Sequence, residues 1–190
     1  MAIVIPGGLF INRDSGWLIN ARHVISPNQD ERPPGQVAEW LVVHSISLPP
    51  GKYGGPWIDA LFTNCLEPEA HPYFREIHCL RVSAHALIAR DGTLTQYVPF
   101  HKRAWHAGAS YLNGRSGCND FTIGIELEGA DTMPYEKVQY QVLASLISVL
   151  ICAYPTLSKE RIVGHSDIAP DRKTDPGPAF DWGQLRSLLV

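Results

Sequence analysis

The stretch from Phe121 to Val163 limits the possible folds more than any other. Phe121, Ile123, Ile125 and Leu127 alternate with Thr122, Gly124, Glu126 and Glu128, a period of two that belongs to an extended strand. The period then changes. From about Glu136 to Tyr154, Val138, Val142, Leu146, Val149, Leu150 and Ala153 recur at three- and four-residue spacing, which predicts an amphipathic helix stopped near Pro155. Arg161-Ile162-Val163 reads as a short strand delivering Gly164 and His165. The alternation puts Glu126 and Glu128 on the face away from the apolar row, so a solvent-facing Glu128 is expected.

Further elements fit the same architecture. Trp40-Leu41-Val42-Val43, inside a strand expected over Glu39 to His44, is too apolar for a half-exposed strand and predicts a buried one. Arg81 to Ile88 and Thr93 to Pro99 flank Asp91-Gly92, a hairpin signal. Short helices are expected over Trp57 to Phe62 and, closing the chain, over Phe180 to Leu189. Strands interleaved with helices predict the α/β class, a mixed central β-sheet with helices packed against it. The 190 residues suit one domain, 1–190. Residues 1–36 read as a mostly irregular surface lead-in. Residues 49–80 read as a long connection near the site, with glycines suited to hinging a cover.

Composition excludes several functions. Sixteen Lys and Arg against nineteen Asp and Glu give a formal charge of -3, and no basic run marks a local patch, so neither nucleic acid nor an anionic membrane is an expected partner. No segment approaches the length of a membrane span. The opening Met-Ala-Ile-Val-Ile-Pro-Gly-Gly carries no basic charge before its short apolar run, so export is not expected and a cytoplasmic location is. Cys65, Cys79, Cys118 and Cys152 form no Cys-x-x-Cys pair and read as reduced thiols. Nothing in the chain calls for an obligate protein partner.

The chemistry concentrates at two strand ends. His44 ends one predicted strand and His165 follows another, where sheet proteins commonly display reactive groups. Gly164 to Gly177 spends fourteen residues on polar groups and turn formers with hardly an apolar anchor, and a bound cation would organise such a loop. Zinc accepts imidazole nitrogen and carboxylate oxygen, and a catalytic site supplies three protein ligands. His44, His165 and Asp175 meet that requirement, but Asp167, Asp171 and His85 compete for the same place and spacing does not choose among them.

Five ordered segments carry a resemblance: WLVVHSISLPPGKYGGPW from Trp40, RVSAHALIAR from Arg81, QYVPFHKRAWHAG from Gln96, CNDFTIGIELEG from Cys118 and GHSDIAPDRKTDPGPAFDW from Gly164. With the residues between them they cover nearly the whole chain. They resemble the zinc-dependent N-acetylmuramoyl-L-alanine amidases, a family that includes the T7-type lysozyme amidase and the peptidoglycan recognition proteins. Within it the chain most resembles the cytoplasmic enzymes of cell-wall recycling that act on 1,6-anhydromuramyl peptides.

The resemblance implies the peptidoglycan recognition protein / T7-lysozyme-like fold. It also implies Zn2+ on His44, His165 and Asp175, a catalytic glutamate at Glu126, a catalytic lysine at Lys173, and small soluble anhydromuramyl peptides as substrate. One departure is visible. Relatives commonly carry Asn directly after the first ligand histidine, where this chain has Ser45.

Arg81, His85, Trp105 and His106 are the further candidates for substrate contact. Trp105-His106-Ala107-Gly108 pairs an aromatic wall with a ring donor, and Arg81 suits a substrate carboxylate. His85 interrupts a mostly apolar strand, as a buried structural histidine also would. Two other functions compete: a non-catalytic sensor of peptidoglycan fragments, expected to have lost part of the ligand or catalytic set, and a glycosidase using Glu126 and Asp175, whose activity would survive chelation.

Overall fold

The apolar run at Trp40 is buried because it belongs to an inner strand of a six-stranded mixed sheet, seen in a computed structural model that describes residues 8–189. The start of the expected lead-in and of the segment read as lacking an export signal, residues 1–7, lies outside the described residues. The strands are β1 (Arg22–His23), β2 (Trp40–Ile46), β3 (Ala86–Ile88), β4 (Leu94–Gln96), β5 (Thr122–Glu128) and β6 (Ile162–Gly164), in the spatial order β6-β2-β5-β3-β4-β1. β6, β2, β5 and β3 pair in parallel, and β4 returns antiparallel to β3 across the Asp91-Gly92 turn. The register sets Glu126 beside His44 and Gly164 beside Val43, so the carboxyl ends of β2, β5 and β6 meet at one edge.

Helix α1 spans Trp57–Phe62, α2 Phe74–Ile77, α3 Lys137–Ala153, α4 His165–Ile168 and α5 Trp182–Leu188. On α3 the three-and-four periodicity buries Leu143, Leu146, Ile147 and Leu150 against Leu41, Val43, Ile123, Ile125 and Leu127 of the sheet. Each such aliphatic side chain contributes about 1.5–3 kcal/mol when fully buried. Gln139, fully buried, donates its amide hydrogens to the carbonyls of Ile88 at 3.2 Å and Glu128 at 3.0 Å, tying α3 to the ends of β3 and β5. Phe180, Leu185 and Leu189 are buried as their spacing requires.

Three expectations change. The strand expected from Arg81 is regular only from Ala86, because the amides of Ser83 and His85 bond the carbonyls of Trp105 and Gly124 outside a ladder. The second face of the sheet is not solvated either: all seven residues of β5 are buried. The connection of residues 49–80 folds back over that face, carrying α1 and α2 and placing Ile58, Leu61, Phe62 and Phe74 in a second apolar cluster with Leu87 and Tyr97. Glu128 is therefore buried, its carboxylate accepting the backbone N–H of Gly54 and, at 3.1 Å, that of Arg90. The lead-in, finally, is more than a surface wrap. Arg32 inserts its guanidinium among the carbonyls of Asn119, Asp120 and Thr122 at 2.9–3.1 Å, where burial lowers its pKa to about 10.

Candidate active site

Each donor of the candidate metal site is set by a different local device. His44 is fixed by its place in β2, and His165 by the end of β6, where α4 begins. Asp175 sits ten residues on; its carbonyl accepts the Ser166 N–H at 2.9 Å, and the next carbonyl, of Pro176, accepts the Tyr135 hydroxyl at 2.8 Å.

These supports bring three atoms together. His44 Nδ1 lies 2.9 Å from His165 Nδ1, and Asp175 Oδ2 lies 3.1 Å from His165 Nδ1 and 3.3 Å from His44 Nδ1. Donors bonded to zinc at about 2.0–2.1 Å and tetrahedral angles stand about 3.3 Å apart, so the trio has nearly the required spacing. His165 Nε2 faces the carbonyl of Ala107 at 3.3 Å, which can only accept, so the ring proton lies on that side and Nδ1 presents a lone pair. Burial lowers the pKa of His44 to about 4, keeping its imidazole neutral, the form that ligates. Two neutral nitrogens and one carboxylate fit a divalent cation with an open position.

Local structure also separates the competitors. Asp167 is occupied in capping α4, its Oδ2 accepting the Gly164 N–H at 2.7 Å, and Asp171 is exposed. His85 is buried and withdrawn into the fold: Nδ1 accepts the Gly124 N–H at 3.1 Å and Nε2 meets the Lys102 carbonyl at 3.1 Å. It therefore neither joins the trio nor lines the cavity beside it.

A cavity of about 450 Å³ opens over the trio, walled by Glu126, Lys173, Trp105 and His106, and by Tyr73, Ile77 and Leu80 of the long connection. Glu126 projects into it from β5. Burial, reinforced by the Asp175 carboxylate, raises its pKa well above the ordinary value, and Lys173 acts against that shift. Among the described residues its Oε2 has no hydrogen-bond partner. A desolvated carboxyl with a free oxygen is suited to taking up and releasing a proton. An adjoining cavity shares Trp105, His106, His165 and Lys173 and adds Arg81, Arg103 and Arg172, a cationic wall.

Of the residues that the sequence offers for substrate contact, Trp105 and His106 line both cavities and Arg81 the second, but the sequence-based reading missed three residues that hold the site. Asn119 Oδ1 accepts the backbone N–H of His106 at 3.0 Å and of Ala107 at 2.7 Å. Thr122 Oγ1 meets His106 Nε2 at 3.1 Å, and Gly124 underlies the His106 ring. Thr122 and Gly124 share the β5 face with Glu126, and that alternation was the available signal.

Residues 34–178 match the model of the N-acetylmuramoyl-L-alanine amidase family. The chain is 61% identical, over 93% of its length and 96% of the relative's, to the 1,6-anhydro-N-acetylmuramyl-L-alanine amidase AmpD of Escherichia coli K12. The crystal structure of a selenomethionine derivative of AmpD superposes with a TM-score of 0.90 at 59% identity, covering 93% of this chain and 98% of that one. The amidase AmiD of E. coli, solved with anhydro-N-acetylmuramic acid-L-Ala-D-γ-Glu-L-Lys, superposes with a TM-score of 0.59 at 27% identity, covering 96% of this chain and 66% of that one.

Proposed function

The chain belongs to the N-acetylmuramoyl-L-alanine amidase family, and from that premise we propose that it hydrolyses the amide between the lactyl group of 1,6-anhydro-N-acetylmuramic acid and L-alanine in small cell-wall peptides, as part of peptidoglycan recycling. His44, His165 and Asp175 are the residues that would hold Zn2+. The observation that carries the reading is the convergence of their three donor atoms beside the desolvated carboxyl of Glu126.

Zinc held there supplies Lewis acidity toward the scissile carbonyl and lowers the pKa of water. Everything else falls to the chain itself. Glu126, rigid in β5, takes a proton from the attacking water at its free Oε2 and returns one to the leaving nitrogen. The Lys173 ammonium, on the wall of the same cavity, stabilises the negative charge that develops on the carbonyl oxygen. Trp105 offers a face for the sugar or peptide, and Arg81 on the cationic wall suits a substrate carboxylate.

The substrate bound to AmiD supports a small fragment as ligand here. A small substrate and four free cysteines together support a cytoplasmic place of action. Among the described residues no helix is long and apolar enough to cross a membrane.

Mass spectrometry of a digested anhydromuramyl tripeptide tests the activity. The expected products are the free anhydro sugar and a peptide beginning with L-alanine, lost on chelation and restored by zinc. Cleavage between sugars, or turnover that survives chelation, would refute it. Asp175→Ala should abolish stoichiometric zinc, and full retention of the metal would remove Asp175 from the ligand set.

A further inference from the structure

We propose that His106 is a positioning residue for the metal centre rather than a substrate contact, and that His106 and Ala107 together dictate which nitrogen each ligand histidine presents. The inference rests on the zinc reading above and concerns how that site is held ready.

Counting protons along one chain of contacts fixes the tautomers. Thr122 Oγ1 lies 2.7 Å from the Cys118 carbonyl, which can only accept, so the hydroxyl's single proton is directed there. The contact of Thr122 Oγ1 with His106 Nε2, at 3.1 Å, must then be donated by the imidazole. With its proton on Nε2, His106 presents a bare Nδ1 to His44 Nε2 at 2.9 Å, and His44 must donate. That leaves the lone pair of His44 on Nδ1, the atom facing His165 and Asp175. The reverse arrangement would put the His44 proton on Nδ1 and block it as a ligand.

The next residue does the same for the second ligand, since the Ala107 carbonyl accepts from His165 Nε2 at 3.3 Å. One dipeptide thus orients both imidazoles, and the fold holds it from several sides. Asn119 Oδ1 accepts both of its backbone N–H groups, and Arg172 Nη2 donates to the Ala107 carbonyl at 2.7 Å. Gly124 makes the space: a Cβ there would come within 2.4 Å of His106 Cγ. Three successive residues on one face of β5 therefore have separate tasks. Thr122 sets the His106 tautomer, Gly124 admits the ring, and Glu126 faces the substrate. Partners of this kind typically change metal affinity about 10–100-fold when removed.

Zinc affinity by chelator competition, measured for wild type, H106F, H106Q, T122V and H44A, tests the proposal together with 15N spectra of the histidine rings in the zinc-free protein. H106F and T122V should each weaken zinc binding by about 10–100-fold. H106Q, whose amide oxygen can accept from His44, should recover much of that loss, and His106 should carry its proton on Nε2. Zinc affinity of H106F within twofold of wild type, with KM raised, would overturn the proposal in favour of substrate contact. A His106 proton on Nδ1 would overturn it without any variant, so misfolding of H106F does not shield it. Undiminished zinc binding by H44A would instead bring down the ligand assignment beneath it.

Discussion

Replacing Gly124 by Ala should destabilise this protein, although the same change inside an ordinary strand is stabilising by about 0.5–1 kcal/mol. Gly124 has no left-handed backbone to protect, so the effect is one of space alone. An ideal Cβ would lie 2.4 Å from His106 Cγ, 2.5 Å from Nδ1 and 2.7 Å from Cδ2, where ordinary contact begins at 3.4 Å. The ring must then move by roughly 1 Å, in a packed interior where overfilling costs about 1–3 kcal/mol. It is bonded on both sides, to His44 Nε2 at 2.9 Å and Thr122 Oγ1 at 3.1 Å, so movement breaks or stretches both bonds. Each buried nitrogen left without a partner adds about 1–3 kcal/mol.

Partial relaxation brings the net to about 3 kcal/mol, and in a chain of this size each kcal/mol shifts Tm by about 2–4 °C. Thermal unfolding of the zinc-free protein should therefore show Tm lower by about 6–12 °C, with zinc affinity reduced as well. An unchanged or raised Tm with intact zinc binding would mean that the ring has room to spare, and the reasoning from Gly124 would fail.

Glu126→Gln should lower kcat by about 10²–10⁴ while keeping stoichiometric zinc. Its effect on stability has the opposite sign. Burial, then the Asp175 carboxylate, raise the folded pKa of Glu126 above its unfolded value, so the folded chain retains a proton that the unfolded chain releases. Stability is lost as pH rises above the ordinary glutamate range, and zinc-free E126Q should gain on wild type as pH rises from there in urea titrations; an advantage that shrinks instead would contradict the assigned shift. Lys173→Met should reduce turnover by about 10²–10³ with little change in zinc content, whereas parallel loss of both would assign Lys173 to the structure of the loop. Glu128→Ala removes the acceptor for the Gly54 and Arg90 amides and should speed proteolytic cleavage near Gly54; an unchanged rate would show that the connection is held by its apolar cluster alone.

Local periodicity was enough for the main elements: alternation marks β5, the three-and-four spacing marks α3, and His165 directly follows β6, whereas β2 runs past His44 to Ile46 because Ser45 and Ile46 still pair with Leu127 and Glu128 of β5. The motif resemblance added the ligand trio and Glu126, but residue type and spacing left Asp167 and Asp171 open beside Asp175. The fold separated them through contacts that spacing does not encode, since Asp167 caps α4 and Asp175 reaches the imidazoles. His85 and His106 likewise look equivalent as sequence, yet one is consumed by main-chain bonds inside the fold and the other stands against His44. Thr122 and Gly124 lay in view on the face of Glu126, where alternation identifies a face but not what packs on it. Periodicity follows from backbone geometry over a few residues. Ligand choice, tautomer and burial depend on atoms brought together across the chain, as when His44 meets His165 from 121 residues away, and only the tertiary structure decides them.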